Sequence, residues 1–570
     1  MLEVRTLDDA TVTSLARALG VRPVTARCLV ARGHHDASAA RAFLEPKLGL
    51  LRRPEGLADF GKAVDRVAAA VLRRERIAVF GDYDVDGVTT CAVLTGFLRA
   101  AGALVQARVA RRDEGYGFCA AAAADLLASE PALVITGDCG TSDQATIAEV
   151  RAAGCDVIVV DHHTVPAAGE PHPAYALVNP HRADSSFPFR GMASVGIAFY
   201  LTAAIRTRLK EQGWFATRPE PDPRAMLDLV AVGTIADLVP LAGENRILTA
   251  AGLKLLAQRQ RPGLAALLAQ AGVEADATVD EKTVGWKLAP RLNAPGRLGD
   301  AQPALELLLA DAARAHEAAA ALESANVARR GVQDEVLAAA IRALGDGDPG
   351  PAVVIAGEGW PSGVVGIVAA KLVERYRRPA FVIAVDPATG VGRGSARSYG
   401  GVDLYRALGA CAPMLERFGG HAAAAGLTVR ASEVDRLRAA LGDAILARGS
   451  GPVATGLHAA GADATIELGA LDEDTVRELL TLAPFGQDNP PPRLVCRGVT
   501  VRASRRVGDG SHLKLDLTDG RGAMRGAIGF GLGERDPGAG ATVDVAFTPT
   551  VSSWQGKTRV ELELHDLHVR

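Results

Sequence analysis

Three carboxylates fall within five residues in Gly81-Asp82-Tyr83-Asp84-Val85-Asp86-Gly87. Held that close they repel one another unless a cation sits among them, and hard oxygen donors suit Mg2+ or Mn2+. The pattern D-x-D-x-D-G also opens an EF-hand calcium loop. That loop needs a glutamate at its twelfth position, which is Val93 here, and the segment follows an apolar run of strand type rather than a helix. Taken alone, the motif reads equally well as a solvated acidic turn.

Three more segments change the balance. Thr136-Gly137-Asp138-Cys139-Gly140 follows Leu133-Val134-Ile135, and Asp161-His162-His163 follows Val157-Ile158-Val159-Val160. Asp237 comes after another apolar run, in Gly233-Thr234-Ile235-Ala236-Asp237. An isolated acid after a strand is usually a turn or cap residue. Three strand ends carrying five acids and two histidines are not explained that way. The adjacent pair His34-His35 is the control: it follows no strand, gathers no acids, and is expected in an exposed turn.

The elements that must position these groups follow from periodicity. Residues to about Leu51 have helical spacing at Thr11–Leu19 and Ala37–Leu44. From Arg52, the short runs Ile77–Phe80, Leu104–Val109, Leu133–Ile135 and Val157–Val160 alternate with helical stretches, which predicts βαβ units and a parallel sheet. Ligands of open α/β sheets bind beyond the carboxyl ends of the strands, where three of these runs meet their acids. The Ala/Leu-rich stretch Ala301–Leu344 predicts a helical connector closed by the breakers at 345–350. A second α/β unit begins at Ala352-Val353-Val354-Ile355, and Gly449-Ser450-Gly451-Pro452 reads as a linker. Beyond Arg493, period-two alternation at Leu513, Leu515 and Leu517, and again through Val560-Glu561-Leu562-Glu563-Leu564, predicts a small antiparallel barrel.

At 570 residues the chain exceeds a single core, and three or four domains are expected. A net charge of -3 excludes a uniformly basic surface, so any nucleic-acid contact must come from a local groove. The seven cysteines are scattered without a CxxC, which argues against a disulfide framework or structural zinc and for a reducing compartment. No apolar run approaches the length that spans a bilayer, and a cytoplasmic protein without membrane contact is expected.

In order along the chain, Asp82-Tyr83-Asp84-Val85-Asp86-Gly87, Asp138, Asp161-His162-His163 and Asp237 resemble the four motifs of the DHH phosphoesterase superfamily. The strings Arg112-Asp113-Glu114-Gly115-Tyr116-Gly117, Pro290 to Leu298, Gly363 to Ala369, Gly394-Ser395-Ala396-Arg397-Ser398, Phe418-Gly419-Gly420-His421 and Ala483-Pro484-Phe485-Gly486 resemble its RecJ-type exonucleases more narrowly. One departure is Pro361-Ser362, where the family often has His-Pro.

The resemblance implies an α/β fold: a parallel-sheet DHH domain and an α/β DHHA1 domain joined by a helical connector, with a C-terminal β-barrel of the OB-fold. The expected boundaries are 1–51 for an N-terminal helical cap, 52–250 for DHH, 251–350 for the connector, 351–448 for DHHA1 and 455–570 for the barrel. The implied activity is 5′→3′ hydrolysis of single-stranded DNA, in repair and recombination, with a helicase and a single-strand-binding protein as partners. An oligonucleotide or cyclic-dinucleotide phosphodiesterase is the alternative. It usually lacks the barrel and the Pro290 string, and a catalytically inert binding scaffold is expected to lack the acids.

The resemblance makes Asp82, Asp84, Asp86, Asp138, His162 and Asp237 ligands of two Mn2+ or Mg2+ ions, with Asp138 as bridge. Such a pair of ions clamps the attacking and leaving oxygens and activates water. The catalytic set is His163, Asp138 and Asp161. Neighbouring residues on an extended chain point in opposite directions, so His163 is expected at the phosphate rather than at the metal. Arg111, Arg291, Asn293, Arg297, Ser395, Arg397, Gly420 and His421 are the candidates for holding the strand, arginine being suited to bidentate phosphate contact. Tyr116, Trp360, Phe418 and Trp554 are candidates for stacking, although a core role is commoner for isolated aromatics.

Overall fold

The structure, a computed structural model, describes residues 2–115, 117–166, 171–345, 347–447, 461–554 and 557–570, without the side chains of 553, 554 and 557. Tyr116, the 449–452 linker and the Trp554 side chain therefore lie outside the described residues. The chain folds as two compact units. One comprises Arg52–Val239 and Ala251–Val453, and the other Met1–Leu51, Pro240–Ala250 and Ala454–Arg570.

The larger unit opens with a five-stranded parallel sheet of β1 (Arg76–Gly81), β2 (Leu104–Val109), β3 (Leu133–Gly137), β4 (Asp156–Val160) and β5 (Ala176–Val178), in the order β2-β1-β3-β4-β5. Strands β1, β3 and β4 are buried along nearly their whole length, which is why they read as unbroken apolar runs. On one face, Ala78, Phe80, Val134, Val157 and Val159 share a core with the helices Ala120–Leu127 and Gln144–Ala152. On the other lies the helix Val85–Ala100, close enough at Thr90 that a Cβ on Gly137 would sit 2.4 Å from its methyl carbon. The strand order reverses between β1 and β3, where the chain leaves on either side and opens a crevice. Asp82 and Asp138 immediately follow those two strands.

The same unit contains a second sheet of β6 (Val353–Glu358), β7 (Ala380–Val385), β8 (Val391–Arg397), β9 (Leu415–Gly420) and β10 (Ala424–Arg430), in the order β6-β7-β8-β10-β9. Only β6 and β7 are parallel. The helices Leu404–Ala410 and Val434–Leu446 bury one face of this sheet. On the other face, the helix Val365–Tyr376 packs its Val365, Val368, Ala369 and Leu372 over β6 and β7. The connector expected as one stretch over Ala301–Leu344 is two helices, Gln302–Leu309 and Ala315–Leu344. Asp311 interrupts it by accepting the Arg314 N–H through its side chain, a cap that starts the second helix afresh.

In the other unit, β11 (Ala464–Thr465), β12 (Leu494–Val507), β13 (His512–Thr518), β14 (Met524–Gly529), β15 (Thr542–Trp554) and β16 (Lys557–Val569) form a sheet closed by pairing of β12 with β15. The barrel is not wholly antiparallel as expected: β14 and β16 pair in parallel, as do β11 and β12. Leu513, Leu515 and Leu517 point inward as their alternation requires, and share one core with Val12, Leu15, Cys28 and Leu29 of the N-terminal helices. His34 is half-buried against Phe43, with ring centroids 4.4 Å apart, and only His35 is exposed.

Candidate metal centre

The acids converge because each follows an element that ends at the same crevice. Asp82 continues β1, and its backbone N–H donates to the Gly137 carbonyl. Asp84 caps the helix Val85–Ala100 by accepting the Gly87 N–H at 3.1 Å. Gly87 is compulsory there, since a Cβ would lie 2.6 Å from the Asp82 backbone. Asp138 holds φ at 63°, a strained conformation for a residue other than glycine and one that recurs at functional sites. Asp237 ends the helix Leu227–Ala236.

Three ligand sets have donor atoms within 4.8 Å of one another: Asp82, Asp84 and Asp138; Asp86, His162 and Asp237; and Asp138, His162 and His163. His162 Nε2 lies 3.4 Å from both Asp138 Oδ1 and Asp237 Oδ2, and 4.0 Å from Asp86 Oδ2. Asp86 is held by the N-terminus of the helix Ser194–Glu211, whose Ser194 and Val195 N–H groups donate to its two oxygens at 2.8 and 3.0 Å. The Ser194 hydroxyl donates to Asp138 Oδ1 at 3.0 Å.

Burial and crowding set the charges. Burial first, then the Asp84 charge, pushes Asp82 up to about 8 and Asp86 to about 7. Burial with the charges of Asp86 and Asp84 lifts Asp237 to about 9, and the same causes raise Asp138 well above the carboxylate range. Burial and the neighbouring His163 charge lower His162 to about 4, so its imidazole is neutral and available as a ligand. Among the described residues, Asp82 Oδ1 is buried without a hydrogen-bond partner. Asp237 Oδ2 accepts no hydrogen bond either, although His162 Nε2 stands within ion-pair range of it. Buried oxygen atoms left unsatisfied beside a neutral imidazole fit a hard divalent cation, which would take the place of the protons.

Asp161 is used differently. Its Oδ1 accepts the backbone N–H groups of His162 (2.7 Å) and His163 (3.1 Å) together with His163 Nδ1 (2.8 Å), and its Oδ2 accepts the Thr141 N–H at 3.1 Å. Burial opposes ionisation, yet the bond to His163 and that residue's charge hold the Asp161 carboxyl far below its usual range. Reciprocally, and also against burial, Asp161 raises His163 to about 9. These bonds curl the chain at 161–163, so the two imidazoles do not diverge as an extended chain would require. They stand edge to face, 4.9 Å apart, with His163 Nδ1 3.9 Å from Asp138 Oδ1.

A cleft of about 1060 Å³ opens in front of this centre. Asp84, Asp161 and His163 line it together with Asn293, Arg297, Ser395, Arg397, Gly420 and His421. Arg397 donates to Ser395 Oγ at 3.1 Å, and Arg297 to the Gly363 carbonyl at 3.1 Å. Burial and the charges of Arg112, Arg329 and Arg397 push Arg297 down to about 10, so a phosphate is the complement this corner calls for.

Two expected contacts are absent from the cleft. Arg111 turns outward onto Asp113, with both nitrogen–oxygen distances 3.3 Å, and its neighbour Arg112 faces the cleft instead. Arg291 pairs with Glu323 and donates to the Lys287 carbonyl. On a helix, six residues of separation place it on a different face from Arg297, whereas Asn293, four away, shares that face. Phe418 packs against the core of the second sheet and is also among the residues lining the cleft, and Trp360 packs against the opposite core. Arg112, whose guanidinium lies 4.1 Å over the Tyr83 ring, was legible in its motif but overlooked beside Arg111. Ser194 gave no signal, being an ordinary serine at a helix start.

A family model of the DHH family N-terminal domain matches residues 76–234, the DHHA1 domain 349–447, and the RecJ OB domain 462–566. The single-stranded-DNA-specific exonuclease RecJ of Bacillus subtilis is 33% identical over 577 residues, covering 100% of this chain and 70% of that protein. RecJ of Dickeya dadantii is 36% identical over 548 residues, covering 91% and 93%. The crystal structure of Thermus thermophilus RecJ in complex with Mn2+ superposes with a TM-score of 0.82 at 30% identity, over 99% of this chain and 78% of that one, and its Mg2+ complex with a TM-score of 0.75 at 29% identity, over 99% and 77%. Likeness that runs through both sheets, the acid-lined crevice and the barrel places the chain in the RecJ exonuclease family.

Proposed function

We propose that this chain is a single-stranded-DNA-specific 5′→3′ exonuclease, working with two Mn2+ or Mg2+ ions in DNA repair and recombination. The observation that carries the reading is a buried cluster of acids and histidines with metal-ligand spacing, which meets, through Asp84, Asp161 and His163, a cleft also lined by Arg297, Ser395, Arg397, Gly420 and His421. Its relatives are named single-stranded-DNA-specific exonucleases, and structures of one of them hold Mn2+ or Mg2+. Asp82, Asp84, Asp86, Asp138, His162 and Asp237 would hold the ions, with Asp138 shared between them. Bound there, the ions supply Lewis-acid polarisation of the phosphate and a lowered pKa for the attacking water.

The chain's own residues do the rest. Ser395, Arg397, Arg297 and the Gly420-His421 turn grip the terminal 5′ phosphate, which sets the strand's polarity. His163, kept protonated by Asp161 through neutral pH, donates to the scissile phosphate and offsets charge building there. Asp161 acts through His163 as a positioning residue.

We also assign 52–250 to the catalytic domain, although its last stretch, Pro240–Ala250, belongs to the other compact unit, 251–350 to a connector, 351–448 to the domain carrying the grip, and 1–51 and 455–570 to the cap and the strand-binding barrel. Among the described residues no helix is long and apolar enough to cross a membrane. A helicase and a single-strand-binding protein are the partners a cytoplasmic enzyme of this kind calls for. Asp138→Ala should abolish divalent-dependent hydrolysis of single-stranded DNA; a variant that still hydrolyses it would overturn the assignment.

A further inference from the structure

Asn179 immediately follows β5, the edge strand of the parallel sheet, and is wholly buried. Its side chain is fully committed. Oδ1 accepts the His181 N–H at 2.8 Å, a local turn across Pro180. Nδ2 donates to the Thr141 hydroxyl at 3.0 Å and to the His163 carbonyl at 2.9 Å. A carbonyl only accepts and a backbone N–H only donates, so both partners fix the same orientation of the amide. A buried amide costs stability unless its hydrogen bonds are made, and here both donors and the oxygen are engaged.

The two donors reach different turns. β3 and β4 pair as far as Gly137 and Val160, and the Asp138 N–H donates to the Val160 carbonyl at 2.9 Å. Beyond that point residues 138–141 and 161–163 leave as separate turns. The first is strained: Asp138 holds φ at 63° and Gly140 at 114°, where a Cβ would lie 2.7 Å from Thr136 Oγ1. Such strain persists only where the surroundings over-determine the backbone. The Thr136 hydroxyl donates to the Cys139 carbonyl at 3.0 Å. His172 Nδ1 accepts the Ala174 N–H, so its Nε2 carries the proton and donates to the Gly140 carbonyl at 3.1 Å. Asn179 completes the set at Thr141. The second turn is hooked to the same edge strand, since the Asp161 N–H donates to the Val178 carbonyl at 3.1 Å.

We propose that Asn179 is a positioning residue for the metal centre: its amide ties the turn of Asp138 to the turn of His162 and His163, so that ligands on two strand ends keep one spacing. Asp138 Oδ1 and His162 Nε2 stand 3.4 Å apart across this tie. The bond from the Thr141 N–H to Asp161 Oδ2 also spans the two turns, so loss of the amide loosens their spacing without releasing either. This rests on the function proposed above, which places ions among those ligands.

Mn2+ binding to the full chain, measured by calorimetry without DNA, reads the tie directly. Asn179→Ala should raise the Kd for Mn2+ about tenfold and, at saturating Mn2+, lower kcat roughly tenfold with KM for single-stranded DNA unchanged, the loss typical of a group that orients metal ligands. Thr141→Val removes only the hydroxyl that receives the amide and should weaken Mn2+ binding in the same direction. Thr141→Ser keeps that hydroxyl and should restore the affinity. A lower melting temperature in Asn179→Ala with unchanged Kd and kcat would show a purely structural role and overturn the proposal, as would equal loss of affinity in the serine and valine variants. If Asn179→Ala does not fold, the Thr141 pair decides the matter alone. A wild-type chain that binds Mn2+ but releases no nucleotide from DNA would sink the exonuclease reading, while the Mn2+ affinities would still decide the tie.

Discussion

Asp161 Oδ1 lies 2.8 Å from His163 Nδ1, and the same oxygen also accepts the backbone N–H groups of His162 and His163. One carboxylate thus fixes both the shape of the turn and the proton on the imidazole. Asp161→Asn should keep much of the turn but withdraw the charge that raises His163 to about 9. A raised histidine holds its proton until pH passes its folded value, so the variant should lose the proton at lower pH. The alkaline limb of its pH–rate profile should move down by about one unit or more, with kcat at pH 8 reduced roughly 10- to 100-fold. An unmoved limb would show that His163 does not act as a proton-bearing group.

Metal should stabilise the protein more as pH rises. Without it, Asp82, Asp86 and Asp237 have folded values of about 8, 7 and 9, against about 4 unfolded. A raised folded pKa gives stability that is complete below the unfolded value and lost as pH climbs through the folded one. The melting temperature in EDTA should therefore fall between pH 5 and 9, while Mn2+ levels the curve by replacing the protons. The gap between the two melting curves should widen with pH; a constant gap would mean that the cluster is not where the ion binds.

Ser194→Ala removes the hydroxyl that orients Asp138 and leaves the helix amides on Asp86 in place. Titration of activity with Mn2+ should show half-saturation displaced upward about tenfold, with kcat near wild type at saturating metal. Equal metal dependence in variant and wild type would remove Ser194 from the centre.

Arg397→Ala should weaken binding of 5′-phosphorylated ends and spare 5′-hydroxyl ends. Arg291→Ala should do the opposite of what the sequence suggested: it breaks a largely buried pair with Glu323, costing about 1–3 kcal/mol of stability, and leaves end discrimination intact. Thermal melts beside competition between the two kinds of end separate these roles. Equal loss on both ends in Arg397→Ala would count against a terminal-phosphate pocket.

The acids and histidines were legible because chemistry and periodicity agreed: an apolar run that stops at an aspartate marks a strand end, and strand ends of one sheet meet. Side-chain direction was not legible at that level. Arg111 and Arg112 are adjacent in the sequence, and packing against Tyr83 and the Gly296 carbonyl selects the second for the cleft. The geometry of the two imidazoles likewise depends on a carboxylate that accepts four hydrogen bonds, which no spacing rule anticipates. The barrel's strands announced themselves by alternation, whereas the parallel pairing of β14 with β16 is a property of topology.

The most direct test is digestion of long single-stranded DNA labelled at either end, in Mn2+ and in EDTA, beside a blunt duplex. The account predicts Mn2+-dependent release of label from the 5′ end first, with the duplex spared. Release from the 3′ end, or hydrolysis confined to oligonucleotides of two to four residues, would contradict it.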